Sequence, residues 1–278
     1  MPPYRYDPAF VAAQYDQLAE GEWQRLISSP IDEVNLHIHA HYLRQHIPAG
    51  ASVLEIGAGA GRFTQILAEL GARVWVADLS PVQLDLNRHY AAELGFEAAV
   101  VERRLADITD LSAYPDAGFD RVVAYGGPFS YVLERRGEAL AECARVLRPG
   151  GILLGSVMSL WGSCHRHLLR VLDIPPLVNQ RITASGELTP DSDPQRTRNY
   201  IHIFRAGEIF PWLQSGGFQP LSLAASGVLA NGHGDELAAA RQDPARWAEL
   251  LRMELDASAD PACAGMGTHL IFAAQKPA

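Results

Sequence analysis

The stretch of sequence that decides the fold is VLEIGAGAGRF, residues 53–63. Its first four residues, Val53–Ile56, are apolar enough for a buried strand, and three glycines follow at alternate positions before a helix predicted over Phe63–Leu70. Glycine adopts positive φ without strain and lets a ligand approach the backbone closely. Because ligands bind at the carboxyl ends of parallel strands, the stretch predicts a ligand-binding loop.

Strands and helices alternate on both sides of this loop. Further strands are predicted at Val74–Ala77, Ala98–Val101, Asp120–Tyr125, Ile152–Met158, Pro220–Ala225 and His269–Ala274. Helices are predicted at Pro8–His46 (as more than one helix), Pro81–Leu94, Glu138–Leu147, Ala206–Gln214 and Pro244–Leu255. Such alternation is typical of a parallel sheet with helices on both faces, which makes the fold class α/β.

The chemistry of the loop indicates its ligand. Asp78 ends the second predicted strand about 20 residues after the glycines, where a carboxylate accepts hydrogen bonds from ribose hydroxyls. The loop is G-x-G-x-G rather than the G-x-G-x-x-G that is typical of dinucleotide sites. Glu55 also precedes it directly, and a carboxylate there would repel a pyrophosphate but attract an ammonium group. The pattern therefore favours S-adenosylmethionine over a nicotinamide dinucleotide.

With these residues in place, the sequence resembles the class I S-adenosylmethionine-dependent methyltransferases. The motifs that carry the resemblance, in the order in which that family has them, are Val53–Thr64, Asp78, Leu105–Ile108, Phe119–Val123, Ala144–Gly151 and a last strand ending at Ala273–Pro277. The resemblance is strong over residues 45–158 and looser in the tail. It is specific for fold and cofactor and poorly specific for the substrate.

The resemblance implies a Rossmann-like seven-stranded sheet in the order 3-2-1-4-5-7-6. It also implies that the glycines wrap the methionine and ribose portions, that Glu55 faces the ammonium and Asp78 the ribose, and that Asp107 contacts the adenine. Tyr15 would close over the cofactor from the amino-terminal helices. The complete predicted cofactor-binding set is Tyr15, Glu55, Gly57, Ala58, Gly59, Gly61, Asp78, Leu79, Asp107, Ile108 and Tyr125.

We expect one domain of four parts. They are an amino-terminal helical lid at 1–47, a cofactor-binding core at 48–158, a substrate-lid insertion at 159–205 and the rest of the sheet at 206–278. The insertion is predicted because the strand–helix rhythm stops after Met158, and long irregular segments in compact domains are usually functional.

Methyl transfer needs alignment above all, with a general base where the acceptor atom loses a proton. Histidine suits that role, and His165 and His202 in the insertion are the predicted catalytic residues. Trp161, Tyr200, Phe204 and Trp212 are read either as an apolar substrate pocket or as core. His37 and His41 share a helix face but have no evident carboxylate or thiolate partner, so no metal site is predicted.

Composition narrows the partners. A net charge of −9 and a pI near 5.5 disfavour nucleic acid as a substrate. The stretch after the fourth strand, Tyr125–Tyr131, lacks the Asn/Asp-Pro-Pro-aromatic motif of base methyltransferases. Three scattered cysteines indicate neither disulfides nor a zinc site. With no signal peptide or membrane span evident, we expect a cytoplasmic enzyme that methylates a small molecule, as in secondary metabolism.

Several alternatives stay open. A nicotinamide-dependent oxidoreductase would need a third glycine spaced for pyrophosphate and a Tyr-x-x-x-Lys pair, and the single lysine is Lys276. A non-catalytic, methyltransferase-like binding module would have a degraded loop, and here the loop is intact. A protein substrate, the methylated atom (oxygen, nitrogen or carbon) and the oligomeric state are left open by the sequence.

Overall fold

The computed structural model describes residues 4–192 and 200–278. The strands are β1 (Ser52–Ile56), β2 (Arg73–Asp78), β3 (Val100–Leu105), β4 (Phe119–Ala124), β5 (Leu147–Met158), β6 (Glu187–Leu188), β7 (Ile201–His202), β8 (Gln219–Ser226) and β9 (His269–Gln275). Seven of them form one sheet in the order β3-β2-β1-β4-β5-β9-β8, and β6 pairs with β7.

The helices flank this sheet and precede it. They are α1 (Pro8–Leu18), α2 (Gly21–Arg25), α3 (Pro30–His46), α4 (Arg62–Glu69), α5 (Pro81–Leu94), α6 (Pro128–Tyr131), α7 (Arg136–Val146), α8 (Leu160–Arg166), α9 (Leu168–Leu172), α10 (Pro176–Ser185), α11 (Ala206–Ser215), α12 (Gly234–Arg241) and α13 (Pro244–Ala259). Among the helices described, none combines the length and the apolar character needed to cross a bilayer.

The sheet has the predicted order 3-2-1-4-5-7-6, with β8 as the sixth strand and β9 as the seventh. The strands β3, β2, β1, β4 and β5 run parallel, whereas β9 lies antiparallel between β5 and β8. The switch point therefore lies beside β1, so the loop that follows β1 occupies the position where ligands bind in such sheets.

The third strand begins two residues later and ends four residues later than predicted. A turn of 3-10 helix covers Glu97–Ala99, and β3 begins only at Val100 and continues to Leu105. Its residues Glu102, Arg103 and Arg104 are charged, because β3 lies at the edge of the sheet and need not be apolar on both faces. Apolar patterning alone could not find such a strand.

Two apolar layers enclose the sheet. Neighbouring residues of β1 point to opposite faces, so Val53 packs with Ile38 and Leu67, whereas Leu54 packs in the layer of Phe129. Both β1 side chains are fully buried. A parallel strand buried on both faces explains why this stretch is continuously apolar rather than alternating.

The amino-terminal helices pack across the loop end of the sheet. Helix α1 begins after an Asp7 cap and docks on α5, where the Gln83 amide donates to the carbonyls of Tyr15 (2.9 Å) and Ala19 (3.1 Å). The Ser80 hydroxyl also donates to Asp16. These bonds hold the amino-terminal segment over the loop after β1.

The predicted insertion at 159–205 contains α8–α10 and the short β6–β7 pair, with residues 193–199 outside the described part of the chain. It begins and ends at one place, because the Leu160 amide donates to the Phe204 carbonyl (2.9 Å) and the Phe204 amide donates to Met158 (2.8 Å). Its role as a substrate lid stays a prediction.

Packing in the centre of the sheet gives a stability test. Gly155 of β5 faces Phe272 of β9, and a Cβ at Gly155 would lie 2.2 Å from the aromatic ring. We expect Gly155→Ala to lower the free energy of unfolding by about 1–3 kcal/mol, because the ring cannot move in a packed core. The urea midpoint measures this change.

Gly137→Ala is the matched control, since a Cβ there meets no atom within 4 Å. It should leave the midpoint unchanged or raise it slightly. Equal midpoints for the two variants would contradict the packing described here.

Candidate functional site

A cavity of about 830 Å³ opens where β1, β2 and β4 end, and we call it the loop cavity. Four predicted residues line it from the glycine loop itself: Gly57, Ala58, Gly59 and Gly61. Five more predicted residues line it from other elements: Tyr15, Asp78, Leu79, Ile108 and Tyr125.

Two of the loop glycines are required by geometry. Gly57 has a φ of +67°, and a Cβ there would lie 2.7 Å from Pro128 Cγ. Gly61 has a φ of +104°, and a Cβ there would lie 2.8 Å from the side-chain amide of Asn87. A side chain at either position would be strained and would collide, so the loop keeps its shape only with glycine.

The loop amides are mostly used within the protein. Gly57 and Ala58 donate to the Ala77 carbonyl (2.9 and 3.3 Å), and Gly61 donates to Ala58 (3.2 Å). Gly59 donates to Asp78 Oδ2 (2.8 Å). The backbone of residues 57–61 therefore has few free donors, although phosphate-binding glycine loops depend on such donors.

Asp78 is a fixed acceptor at the floor of the loop cavity. Its Oδ1 accepts from the Ser80 amide at 2.8 Å, and its Oδ2 accepts from Gly59. Burial raises the pKa of Asp78 to about 6, although the two amides oppose the shift. Each carboxylate oxygen can accept a second hydrogen bond, so Asp78 can still bind ligand hydroxyls.

Glu55 lies behind the loop rather than in the cavity wall. Its Oε2 accepts from the Thr64 hydroxyl (2.6 Å), Thr64 accepts from Asn87 (2.9 Å), and Asn87 accepts from Arg103 (2.8 Å). Its Oε1 is buried and has no partner among the described residues. Burial raises the pKa of Glu55 to about 8. Its contact with a ligand ammonium stays a prediction.

Asp107 also lies outside the wall of the loop cavity, between the lining residues Ala106 and Ile108. Its Oδ2 accepts from the Tyr6 hydroxyl (3.0 Å), and its Oδ1 accepts from the Thr109 amide (2.8 Å). Tyr6 itself lines the cavity. The adenine contact of Asp107 therefore stays a prediction.

The amino-terminal segment forms the outer wall of the loop cavity, and only Tyr15 was predicted there. Trp23 stacks on Tyr90 with ring centroids 3.9 Å apart, and the Arg62 guanidinium lies 3.6 Å above the Trp23 ring. Arg62 also donates to the Trp23 carbonyl (3.0 Å). No motif marks these residues in the sequence, because their positions depend on tertiary docking.

A second cavity, of about 900 Å³, adjoins the first, and we call it the histidine cavity. The two share Arg25, Leu26, Phe63 and Gly126 as walls. Three histidines, His39, His167 and His269, line the second cavity. Gly126 is the second residue after β4, so the two cavities meet near the carboxyl end of that strand.

His39 is the most constrained of these histidines. Its Nδ1 lies 2.7 Å from the Asn35 carbonyl, which can only accept, so Nδ1 carries the hydrogen. Its ring packs edge-on against Tyr125, with centroids 4.9 Å apart. Burial lowers the pKa of His39 to about 4 and that of His269 to about 3, so both rings are neutral near pH 7.

The two histidines predicted to be catalytic lie elsewhere. His202 is buried, with Nδ1 2.8 Å from Glu187 and Nε2 3.5 Å from Glu208. His165 is exposed and lies 3.4 Å from the Asn231 side chain. Neither lines the loop cavity or the histidine cavity. Their catalytic role stays a prediction.

The predicted aromatic pocket is not assembled at either cavity. Phe204 is buried in the core and Trp212 packs against that core, whereas Trp161 is about half exposed. Tyr200 stacks on Phe10 with centroids 5.0 Å apart. Within residues 4–192 and 200–278, no group of three or more His, Cys, Asp or Glu side chains is placed to hold a metal ion.

Comparison with known proteins agrees with this architecture. A family model described as a methyltransferase domain matches residues 54–155. The ubiquinone biosynthesis O-methyltransferase of Xanthomonas axonopodis is 29% identical over 175 residues, which are 62% of this chain and 64% of that protein. The chain therefore aligns with somewhat less than two thirds of the length of this relative. The corresponding enzyme of Nitrosococcus oceani is 26% identical over 209 residues, 74% of this chain and 80% of that protein.

Solved structures share the fold at low identity. The [4+2]-cyclase SpnF is 20% identical, with a TM-score of 0.63 and 96% of both chains covered. The 1,6-didemethyltoxoflavin-N1-methyltransferase of Burkholderia thailandensis, solved with S-adenosylhomocysteine, is 17% identical with a TM-score of 0.58, and the match covers 100% of this chain and 94% of that one. With its sheet order, its glycine loop and the methyltransferase-domain match at residues 54–155, the chain has the architecture of the class I S-adenosylmethionine-dependent methyltransferase superfamily.

Proposed function

We propose that this protein transfers a methyl group from S-adenosylmethionine to a small-molecule acceptor. The observation that carries the proposal is the polarity of the loop cavity. The Asp78 carboxylate lines the cavity as an acceptor, and two further oxygens, Glu55 Oε1 and Gln83 Oε1, are buried close to the loop without a partner among the described residues. The loop amides, by contrast, are largely occupied by the protein itself.

This polarity suits the cofactor. Its ribose hydroxyls and its ammonium group are donors, and the glycine backbone gives them room to approach. A nicotinamide dinucleotide would instead place a pyrophosphate against an acidic loop with few free amides, which is unfavourable. The intact loop likewise disfavours the non-catalytic alternative.

The cofactor's chemistry determines which tasks are left to the protein. S-adenosylmethionine supplies a methyl group that its sulfonium already activates, so the protein has to bind, align and exclude water. Asp78 and the glycine loop would hold the cofactor, and Tyr15 and Trp23 would cover it. The acceptor would reach the methyl group past Gly126, where the two cavities meet.

The relatives support a small-molecule acceptor. Their names include an O-methyltransferase of ubiquinone biosynthesis and an N1-methyltransferase of 1,6-didemethyltoxoflavin. The net charge of −9 is unfavourable for a nucleic-acid substrate. The cytoplasmic location expected from the sequence is part of this proposal.

Calorimetric titration tests the cofactor directly. Wild-type protein should bind S-adenosylmethionine and S-adenosylhomocysteine but not NADH. Asp78→Ala should weaken both sulfur ligands by about 10- to 100-fold, because charged hydrogen bonds to the ribose are lost.

Asp85→Ala is the matched control on the exposed face of α5, where Asp85 only pairs with Arg88. It should bind like the wild type. Binding of NADH alone, or full affinity in a folded Asp78→Ala variant, would refute the assignment.

Glu55 gives a prediction about pH. Because burial raises its pKa from 4.5 to about 8 in the folded protein, the protonated form stabilises the fold, and this contribution is lost as the pH rises between those values. We expect the urea midpoint of the ligand-free wild type to fall from pH 7 to pH 8.5, a range that lies above the titration of Asp78, His39 and His269.

Glu55→Gln should fall less over the same range, because the amide cannot ionise and still accepts from Thr64. The control Glu69→Gln changes an exposed residue of the same helix as Thr64 and should follow the wild type. Parallel pH profiles for Glu55→Gln and the wild type would show that Glu55 is not the group that titrates.

A further inference from the structure

We propose that the histidine cavity binds a hydroxyl acceptor that carries a carboxylate, with Arg166 holding the carboxylate and His39 taking the hydroxyl proton. This inference rests on the proposed methyl transfer and deepens it, because it names the class of acceptor and the residues that would recognise it.

Arg166 is the residue that would recognise the carboxylate of the acceptor. It lines the cavity from the end of α8, and its guanidinium donates no hydrogen bond among the described residues. Its nearest carboxylate, Asp32, is 3.6 Å away, which is longer than a hydrogen bond. The hydroxyls of Ser28 (2.7 Å) and Ser29 (2.5 Å) donate to the other oxygen of Asp32, Oδ2, and not to the Oδ1 that faces Arg166. Arg166 therefore makes a long ion pair but no hydrogen bond, and its planar fork can donate to an incoming carboxylate.

Charged side chains on its walls set the electrostatic character of the histidine cavity. Two of them are arginines and one is a carboxylate: Arg25, Arg166 and Asp32. The guanidinium of Arg25 is compensated by Glu22 at 2.6 Å. Arg166 donates no hydrogen bond among the described residues, so an anionic group on the acceptor would find its complement there.

His39 is the residue that would take the hydroxyl proton. Its Nδ1–H is fixed on the Asn35 carbonyl, so Nε2 of the neutral ring keeps its lone pair. The ring packs against Phe63 and Tyr125, both of which line the loop cavity. A neutral imidazole thus lines the cavity that adjoins the proposed cofactor site.

The proposed reaction transfers a methyl group from sulfur to a hydroxyl oxygen. The acceptor oxygen forms a bond to the methyl carbon as the bond from that carbon to the cofactor sulfur breaks. The hydroxyl proton passes to His39 Nε2, and the products are a methyl ether and S-adenosylhomocysteine. The imidazolium then loses its proton to water.

The test begins with binding rather than turnover. Protein saturated with S-adenosylhomocysteine is titrated calorimetrically with three probes, 2-hydroxybenzoate, 4-hydroxybenzoate and 3,4-dihydroxybenzoate, and with their methyl esters. At least one acid should bind about 10-fold or more tightly than its ester, since a charged bidentate contact is worth about 1.5–3 kcal/mol. Arg166→Met should remove this preference, whereas Arg181→Met, an exposed arginine of α10, should keep it.

The second measurement follows methyl transfer to the acid that binds. His39→Gln should lower kcat by about 100-fold or more while the affinities for the acid and for S-adenosylhomocysteine stay unchanged. His41→Gln, on the same helix but outside both cavities, should leave kcat unchanged.

The outcomes separate the two proposals. If the wild type does not bind S-adenosylhomocysteine, the proposed function fails. If it binds that ligand but none of the acids, or binds acids and esters equally, or binds an acid without methylating its hydroxyl, only the present inference is overturned.

Discussion

The carboxylate of Asp78 holds together the parts on which the rest of the site depends. One oxygen fixes the glycine loop through the Gly59 amide, and the other fixes the start of α5 through the Ser80 amide. The Ser80 side chain in turn binds Asp16 of the amino-terminal segment. A single buried acid therefore sets the loop, the helix beside it and the cover above it, and it still has acceptor capacity for a ligand.

A second chain of hydrogen bonds supports the loop from behind. It runs from Glu55 through Thr64 and Asn87 to Arg103, which pairs with Glu97 at the surface. Gly61 lies against Asn87, so this chain and the glycine requirement are parts of one packing arrangement. Most of the loop amides and most polar atoms of this chain have partners within the protein, whereas Glu55 Oε1 has none among the described residues.

The sequence predicted the sheet and the glycine loop well, because both depend on local signals. Each signal can be recognised within one short stretch of sequence: the continuous apolar strands, the alternate glycines and the acid after β2. The edge strand β3 was predicted too early in the chain, because its charged residues do not give the apolar pattern of a strand. The cover residue Trp23 and the cavity histidines His39 and His269 carried no motif, since only tertiary docking brings them to the site. The pairing of His202 with Glu187 also depends on tertiary structure and could not be predicted from the sequence, and its catalytic role stays a prediction.

The division between the two cavities also bears on how such a protein changes over evolutionary time. Most of the histidine cavity is built from α3, α8 and the start of β9, outside the residues 54–155 that match the methyltransferase family model. The loop cavity, by contrast, takes its floor from within that range. Mutations in the peripheral elements can accumulate without disturbing the carboxylate and glycines that hold the cofactor. Paralogues could then diverge in what they modify while inheriting one way of supplying the methyl group.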